Sequence, residues 1–416
     1  MKFKKTICHL AMLAAIAAPT SSAMATDGYF SHGTGMKAKG MGGASVTSTD
    51  DTFAGANNPA AAAWAGNRVE GGVDIFMPDR GMSRTNAGPL NADVTSGSKT
   101  FFIPEFGFNK VFNEKISAGV TVYGNGGMNT DYAGGQINCG RGSANVLCGS
   151  EGLGVDLMQL IVAPTVSYKL NESHSIGISP LLVYQQFKAK GLQAFVPMSS
   201  APNSVTNSGT DSSSGFGVRV GYLGKLNEKI TVGASYSPKV KMGKFDKYSG
   251  LFAGSGSFDI PENYTLGVGF QATTDISLAV DYQRINYAGV TAIGNPSTNQ
   301  APLGSAGGPG FGWSNINVFK LGVQWRAMPA LTLRAGLNIA DNPIQSRDVS
   351  FNIVAPGVTT THVTLGGTYA FSPTTELTVA YMHAPKKSVT GQSFLAGTET
   401  IRMSQNSLGF QVGMKF

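Results

Sequence analysis

From residue 67 onward, stretches that alternate apolar and polar residues are separated by interruptions that are short and long by turns. That regularity leaves few folds open. Reading the alternation at a period of two gives segments at 67–79, 98–112, 115–124, 155–170, 174–188, 214–226, 229–242, 256–271, 276–287, 313–327, 330–340, 357–371, 375–389 and 400–416, fourteen in all. Each has about the nine to eleven residues that a tilted strand needs to cross a bilayer, or somewhat more. Asn113-Glu114, Asn171-Glu172-Ser173, Asn227-Glu228, Thr273-Thr274-Asp275, Met328-Pro329 and Ser372-Pro373-Thr374 read as short turns. Between them lie the long stretches 80–97, 125–154, 189–213, 243–255, 288–312, 341–356 and 390–399. A soluble sandwich has no reason to alternate its connections in this way. A membrane barrel does, with short turns at one rim and long loops at the other. An even strand number then puts both chain ends at the rim of the short turns.

The faces of the strands agree. Leu331, Leu333, Ala335, Leu337 and Ile339 alternate with Thr332, Arg334, Gly336 and Asn338. Leu408, Phe410, Val412, Met414 and Phe416 alternate with Gly409, Gln411, Gly413 and Lys415. In lipid every backbone polar group needs a partner within the protein, so such a sheet has to close on itself. Tyr168, Tyr222, Tyr264, Trp325 and Tyr369 fall near strand ends, where aromatic girdles sit. Composition alone also fits a secreted solenoid or sandwich, with 55 glycines in 416 residues and only 13% charged residues. The connections decide for an all-β, fourteen-stranded antiparallel transmembrane β-barrel.

The start of the chain is of another kind. Lys2, Lys4 and Lys5 precede an apolar run, Ile7 to Ala18, and Ala23-Met24-Ala25 has the form of a cleavage site. Residues 1–25 therefore read as a signal peptide, too short in its apolar part to span a membrane. The net charge of +7 falls to +4 without those three lysines, and with no basic stripe there is no case for nucleic acid. Cys8 leaves with the leader. Cys139 and Cys148 remain in an oxidising compartment, where a disulfide closing one small loop is expected. Nothing around them supplies further metal ligands, and no cofactor is expected.

Residues 26–66 precede the first strand and include "GANNPAAAAWAG", Gly55 to Gly66. A fourteen-stranded barrel has a lumen wider than its own side chains fill. A segment rich in Gly and Ala can pack tightly inside it as a hatch; an unstructured tail below the barrel is the alternative.

This segment resembles the N-terminal hatch of the FadL/TodX family of outer-membrane transporters for hydrophobic compounds. The resemblance rests on the aromatic pair Tyr29-Phe30, a glycine-punctuated run ending in Gly42-Gly43-Ala44, Asp50-Asp51, and the triplet Asn58-Pro59-Ala60. It extends to the whole mature chain through the strand number and the C-terminal Phe416, which is similar to the signal read by the barrel assembly machinery. The family implies that outer loops capture a long-chain fatty acid or an aromatic hydrocarbon. The substrate then passes to a lumen site near the hatch and leaves sideways, through a gap made by a kink in the third strand that touches the Asn-Pro-Ala segment. In "VTVYGNGGMN", Gly124, Gly126 and Gly127 allow such a kink, though they equally suit an ordinary strand end.

A fatty acid needs apolar walls and a partner for its carboxylate. Tyr29 and Phe30 are candidate apolar contacts, as are Leu147, Phe195 and Met198 in the long loops, together with Val146, Leu153, Leu192 and Val196. These loop residues could instead pack the loops on one another. By alternation Arg219, Lys320 and Arg334 face the lumen and are candidate head-group partners. Asp74, Glu105 and Asp281 face inward too, so the cations could simply pair with them. Lys239, Lys241, Lys244 and Lys247 suit lipopolysaccharide phosphates or solvent. A general diffusion porin is the alternative of another class, but porins lack such a preface. His32, His174, His362 and His383 are scattered and form no constellation with a nucleophile and an acid, so no enzyme is expected. A closed barrel carrying its own path in the outer membrane is expected to act as a monomer.

Overall fold

The computed structural model describes residues 27–140 and 142–416; the leader lies outside them. The chain forms a closed fourteen-stranded antiparallel β-barrel. Its strands are β1 (Arg68–Thr85), β2 (Phe101–Val111), β3 (Ile116–Tyr132), β4 (Leu153–Lys169), β5 (His174–Lys190), β6 (Asp211–Lys225) and β7 (Ile230–Ser237). The second half is β8 (Asn263–Gln271), β9 (Ile276–Ile285), β10 (Ile316–Met328), β11 (Leu331–Ala340), β12 (Thr361–Ala370), β13 (Thr375–Gln392) and β14 (Thr398–Lys415). Closure is made by β1 and β14, paired from Arg68↔Lys415 to Thr85↔Thr398.

The expected face pattern holds. Phe102, Leu182, Leu266, Leu365 and Val412 are exposed to the outside, while neighbours such as Arg334, Asn338 and Gln411 are buried within. The strands differ from expectation mainly at the rim of the long loops. β1 continues six residues beyond 79 and β3 runs on past Gly124 to Tyr132, so Arg80, Arg84 and Met128 belong to the wall and not to loops. β7 is shorter than expected, ending at Ser237, and β8 begins only at Asn263. Cys139 and Cys148 are joined, closing a small loop at the long-loop rim.

Residues 27–66 lie within the ring of strands, with two short helices, α1 (Met36–Gly40) and α2 (Ala54–Asn57), and a 3₁₀ turn, Pro59–Trp64. The 3₁₀ turn starts where the sequence can start one. Asn58 is extended, its side chain accepts a hydrogen bond from the Ala60 amide at 3.1 Å, and Pro59 follows with its φ preset. Small residues on both sides permit the close fit: a side chain at Gly177 would meet the Pro59 backbone at 2.3 Å, and one at Gly336 would meet Gly42 N at 2.0 Å.

Lumen carboxylates take up backbone N–H groups that these short elements leave free. Asp281 accepts from Ser45 N and Val46 N at 2.7 and 2.9 Å, Glu70 from Thr52 N at 3.0 Å, and Glu105 from Gly35 N at 3.0 Å. The ammonium of Lys39 lies between Asp74 and Glu105, at 2.9 and 2.6 Å, and Lys37 meets Glu376 at 2.7 Å. Burial works against the Lys39 charge, but Asp74 and Glu105 outweigh it and hold the ammonium above its ordinary value.

Candidate functional site: a break in the wall and two apolar pockets

The wall is not paired throughout. β2 and β3 pair only from Val111↔Ser117 to Phe106↔Val122. Above that level Phe101–Glu105 are paired to β1 alone, and Tyr123–Tyr132 to β4 alone. The cause is a bulge: Gly124 faces Leu160 and Gly126 faces Gln159, so Asn125 is an extra residue on β3. Its amide donates to Gln159 Oε1 at 3.0 Å. The bulge carries β3 inward onto the N-terminal segment, where Phe30 bridges Gly126 and Ser31 N donates to the Asn125 carbonyl at 3.3 Å. Gly126 has φ +157°, and a Cβ there would sit 1.8 Å from the Tyr29 carbonyl oxygen. Only glycine allows this approach.

The bulge thus meets Tyr29 to Ser31. The triplet Asn58-Pro59-Ala60, expected from the resemblance to touch the kink, is anchored elsewhere. Ser167 on β4 donates to the Pro59 carbonyl at 2.5 Å, Ser175 on β5 to the Ala60 carbonyl at 2.9 Å, and Asn58 Nδ2 donates to the Tyr222 carbonyl of β6 at 3.0 Å.

Two apolar spaces lead toward the break. The outer one lies among the long loops, where Leu147, Phe187, Leu192, Phe195, Phe252 and Phe351 line it. The inner one is lined by Tyr29, Phe76, Met128, Trp313 and Met403, with the polar groups of Arg80 and Asn129. The bend 352–357 divides them: Val354 lines the outer space, and Ala355, Pro356 and Gly357 the inner. β3 and Trp313 hold that bend in place. Thr130 Oγ1 donates to the Val354 carbonyl at 2.8 Å, Tyr132 OH to the Ile353 carbonyl at 3.0 Å, and Trp313 Nε1 to Asn352 Oδ1 at 2.6 Å.

Aromatic rings build the inner wall. Tyr29 packs against Phe30, Tyr287 and Trp313 with ring centres 5.2, 5.3 and 6.1 Å apart. Burial pushes both the Tyr29 and Tyr287 phenols well above their ordinary value, so the wall stays uncharged. The Tyr287 hydroxyl accepts from the Tyr29 and Phe30 amides at 3.2 and 3.3 Å and donates to the Asp27 carbonyl at 2.5 Å. One loop side chain thereby fixes the described start of the N-terminal segment.

The structure places the candidates singled out in the sequence as follows. Leu147 and Phe195 line the outer space, with Leu192; Met198 does not, and is about half exposed. Tyr29 lines the inner space, and Phe30 a separate polar cavity below it. Arg219, Lys320 and Arg334 do not reach the inner apolar space. Arg219 donates to the Ala56 carbonyl and to Tyr123 OH, and Lys320 to the His32 carbonyl at 2.9 Å. Arg334 donates to Gln324 at 2.8 Å and Thr368 at 2.6 Å. The cation that does reach it, Arg80, was missed because the first segment is expected to end at 79, which leaves Arg80 in the long stretch 80–97. Pro78 is tolerated in β1 because, between Phe76 and Gly81, only β14 pairs with that strand.

The architecture has solved counterparts. A toluene transporter of Pseudomonas putida, TodX, superposes with a TM-score of 0.69 at 21% identity, over 94% of this chain and 100% of that one. A FadL homologue of Pseudomonas aeruginosa gives 0.68 at 15%, over 94% and 100%. In sequence, outer membrane protein P1 of Haemophilus influenzae is 23% identical over 352 residues, 76% of this chain and 72% of the relative. Residues 12–415 match the model of the family described as outer membrane protein transport protein (OMPP1/FadL/TodX), and the chain belongs to that family of outer-membrane transporters for hydrophobic compounds.

Proposed function

We propose that this protein carries long-chain fatty acids passively across the outer membrane of a Gram-negative cell. The outer space among the long loops captures them, the inner space beside Tyr29 and Trp313 holds them, and the break between β2 and β3 releases them sideways into the bilayer. The observation that carries this reading is the coincidence of the inner apolar space with the unpaired stretch of wall. Residues 27–66 act as the hatch that closes the lumen, exposed after removal of residues 1–25. The whole route lies in one chain, so a monomer suffices, surrounded by lipid and lipopolysaccharide. Phe416, stacked on Phe108 at 5.8 Å, is the residue presented to the assembly machinery.

The solved relatives include a toluene transporter, and an aromatic hydrocarbon is the second reading. The favoured substrate is an acid because a buried guanidinium stands at the inner space, where a hydrocarbon offers it no partner. The test is uptake of labelled oleate, toluene and a small sugar by cells lacking their own transporter, with the intact chain, a deletion of Asn58-Pro59-Ala60, and an empty vector. Saturable oleate uptake, lost in the deletion while the barrel remains heat-modifiable, is the expected result. Sugar entry indifferent to the deletion, with no oleate uptake, would replace a transporter by a porin.

A further inference from the structure

β1 carries three buried arginines, and two are neutralised. Arg68 pairs with Glu70 at 2.7 Å and with Glu376, and Arg84 pairs with Glu399 at 2.5 Å. Arg80 is equally buried, 3% exposed, yet among the described residues it has no carboxylate partner. Its terminal nitrogens donate to the carbonyls of Asn129 and Ser98, its plane lies over Phe101 at 5.4 Å, and its buried Nε has no partner. A buried charge answered only by two carbonyls and a ring is under-compensated, and a guanidinium matches a carboxylate with two parallel hydrogen bonds.

The positions of its partners matter as much. Phe101 opens β2 and Asn129 lies on β3, on opposite sides of the unpaired stretch, while Ser98 lies in the stretch 96–100 that leads from a short strand, Ala92–Thr95, into β2. Residues 96–98 tie β1 to β3 above the break: Ser96 N donates to the Arg80 carbonyl at 2.8 Å, Gly97 N to the Asp131 carbonyl at 2.7 Å, and Asp131 N to Ser96 Oγ at 2.9 Å, while Ala92–Thr95 pairs with β1. Arg80 therefore spans the upper corner of the break from within the inner apolar space.

We propose that Arg80 is the carboxylate subsite of the inner space and also the latch of the break. An entering fatty acid would take the guanidinium in a two-pronged pair and release the Asn129 and Ser98 carbonyls. β3 and the stretch 96–98 then part, so that a charged head group, and not an apolar chain alone, loosens the wall. This rests on the transport reading above and narrows it to hydrophobic molecules that bear a carboxylate.

Binding can be read without transport, because Trp313 lines the same space. The purified full barrel in lipid nanodiscs, with lipid-facing Trp325→Phe as background, is titrated with brominated stearate and with the matching brominated alcohol while tryptophan quenching is followed. Arg80→Gln should weaken the acid by about ten- to a hundredfold, the worth of hydrogen bonds to a charged group, and leave the alcohol within about twofold. Arg80→Lys, which keeps the charge but not the fork, should fall between them. Equal losses for acid and alcohol would make Arg80 a packing residue and overturn the assignment, as would an unchanged acid affinity. Hydrogen exchange at Gly126 to Asn129 tests the latch: it should quicken with stearate and not with the alcohol, and an equal response to both refutes it. If stearate binds through Arg80 but cells do not take it up, the transport reading fails while the subsite stands.

Discussion

Lys39 is the point at which the N-terminal segment is most open to a quantitative test. Its ammonium lies 2.9 Å from Asp74 and 2.6 Å from Glu105, with all three side chains no more than 5% exposed. Lys39→Met keeps much of the volume and leaves two carboxylates facing each other without a cation. Removing one partner of a buried pair costs about 3–5 kcal/mol. The barrel strands keep their pairing, so the loss falls on the contact between segment and wall. Since about 1.4 kcal/mol is a factor of ten, the displaced state of the segment should become on the order of a hundred- to a thousandfold more populated. With the segment displaced, a lumen of this width conducts ions.

The assay is conductance in planar bilayers, backed by entry of a large polar antibiotic into cells. The intact protein should be mostly closed and Lys39→Met should open frequently. Adding Asp74→Asn and Glu105→Gln removes the stranded charges and should return the protein most of the way to closed. Asp74 and Glu105 also accept from Ser407 and Gly35 N, and amides keep hydrogen-bonding capacity there. If Lys39→Met stays closed and the triple variant does not differ from it, the ion triad does not hold the segment and the reasoning is wrong.

Other expectations are narrower. Gly126→Val would set a side chain 1.8 Å from the Tyr29 carbonyl, so oleate uptake should fall more than about tenfold, the effect of losing one to two kcal/mol of fit, with the barrel still heat-modifiable; unchanged uptake would place the exit elsewhere. His32 stacks on His362 with ring centres 6.1 Å apart, and burial, then His362, Lys39 and Lys320, hold its pKa well below the usual value. Its folded pKa lies below the unfolded one, so the segment keeps its full stability above about pH 6.5 and loses up to about 1.4 kcal/mol per pH unit as pH falls below that. Conductance should therefore rise at acid pH, and His32→Phe should flatten that rise. Arg84→Met breaks a fully buried pair with Glu399 and a 2.7 Å hydrogen bond to the Val146 carbonyl, so the long loops should become susceptible to protease on intact cells. Phe195→Asn places an amide in the apolar outer space and should raise the oleate concentration for half-maximal uptake without changing that of a variant already blocked at Gly126.

The strand faces were legible because lipid outside and a packed lumen inside impose a period of two on every segment, as with Leu333 outward and Arg334 inward. The strand ends were less so. β1 runs on from its expected end at 79 to Thr85, because β14 continues to pair with it where β2 does not. β3 could not be bounded because Gly124 to Gly127 suit both an end and a bulge; contact with Tyr29 and Phe30, far away in sequence, decides for the bulge. The outer apolar space joins residues from five separate long connections and β5, such as Leu147, Phe187, Leu192, Phe252, Phe311 and Phe351. Each is unremarkable in its own stretch, and only tertiary packing gathers them. The lumen cations were found but not their work, since Arg219 and Lys320 answer carbonyls of the N-terminal segment, which no side-chain pattern reveals.

The distribution of polarity inside the barrel favours a sideways exit over a straight one. Below Phe30 the interior is charged and hydrogen-bonded, with Lys37, Lys39, Arg68, Glu70, Glu105 and Glu376 engaged around the N-terminal segment. The cavity at the rim of the short turns is lined by Asp50, Glu228, Lys229 and Arg334. A fatty chain of about sixteen carbons forced along that way would forgo about 0.8 kcal/mol per CH₂, roughly 12 kcal/mol against staying in an apolar medium. The apolar lining runs instead from Phe195 through Val354 to Trp313 and Met128, and stops where β2 and β3 part. Below that level the Phe106↔Val122 pairing resumes and the wall is closed. A covalent cross-link between β2 and β3 across the unpaired stretch, joining cysteines placed at Pro104 and Gly124, should therefore stop oleate uptake when oxidised and restore it when reduced, in a background where Cys139 and Cys148 are replaced by serine. Uptake indifferent to that cross-link would mean that substrate descends through the segment despite its charges, and the balance of free energies drawn here would have to be abandoned.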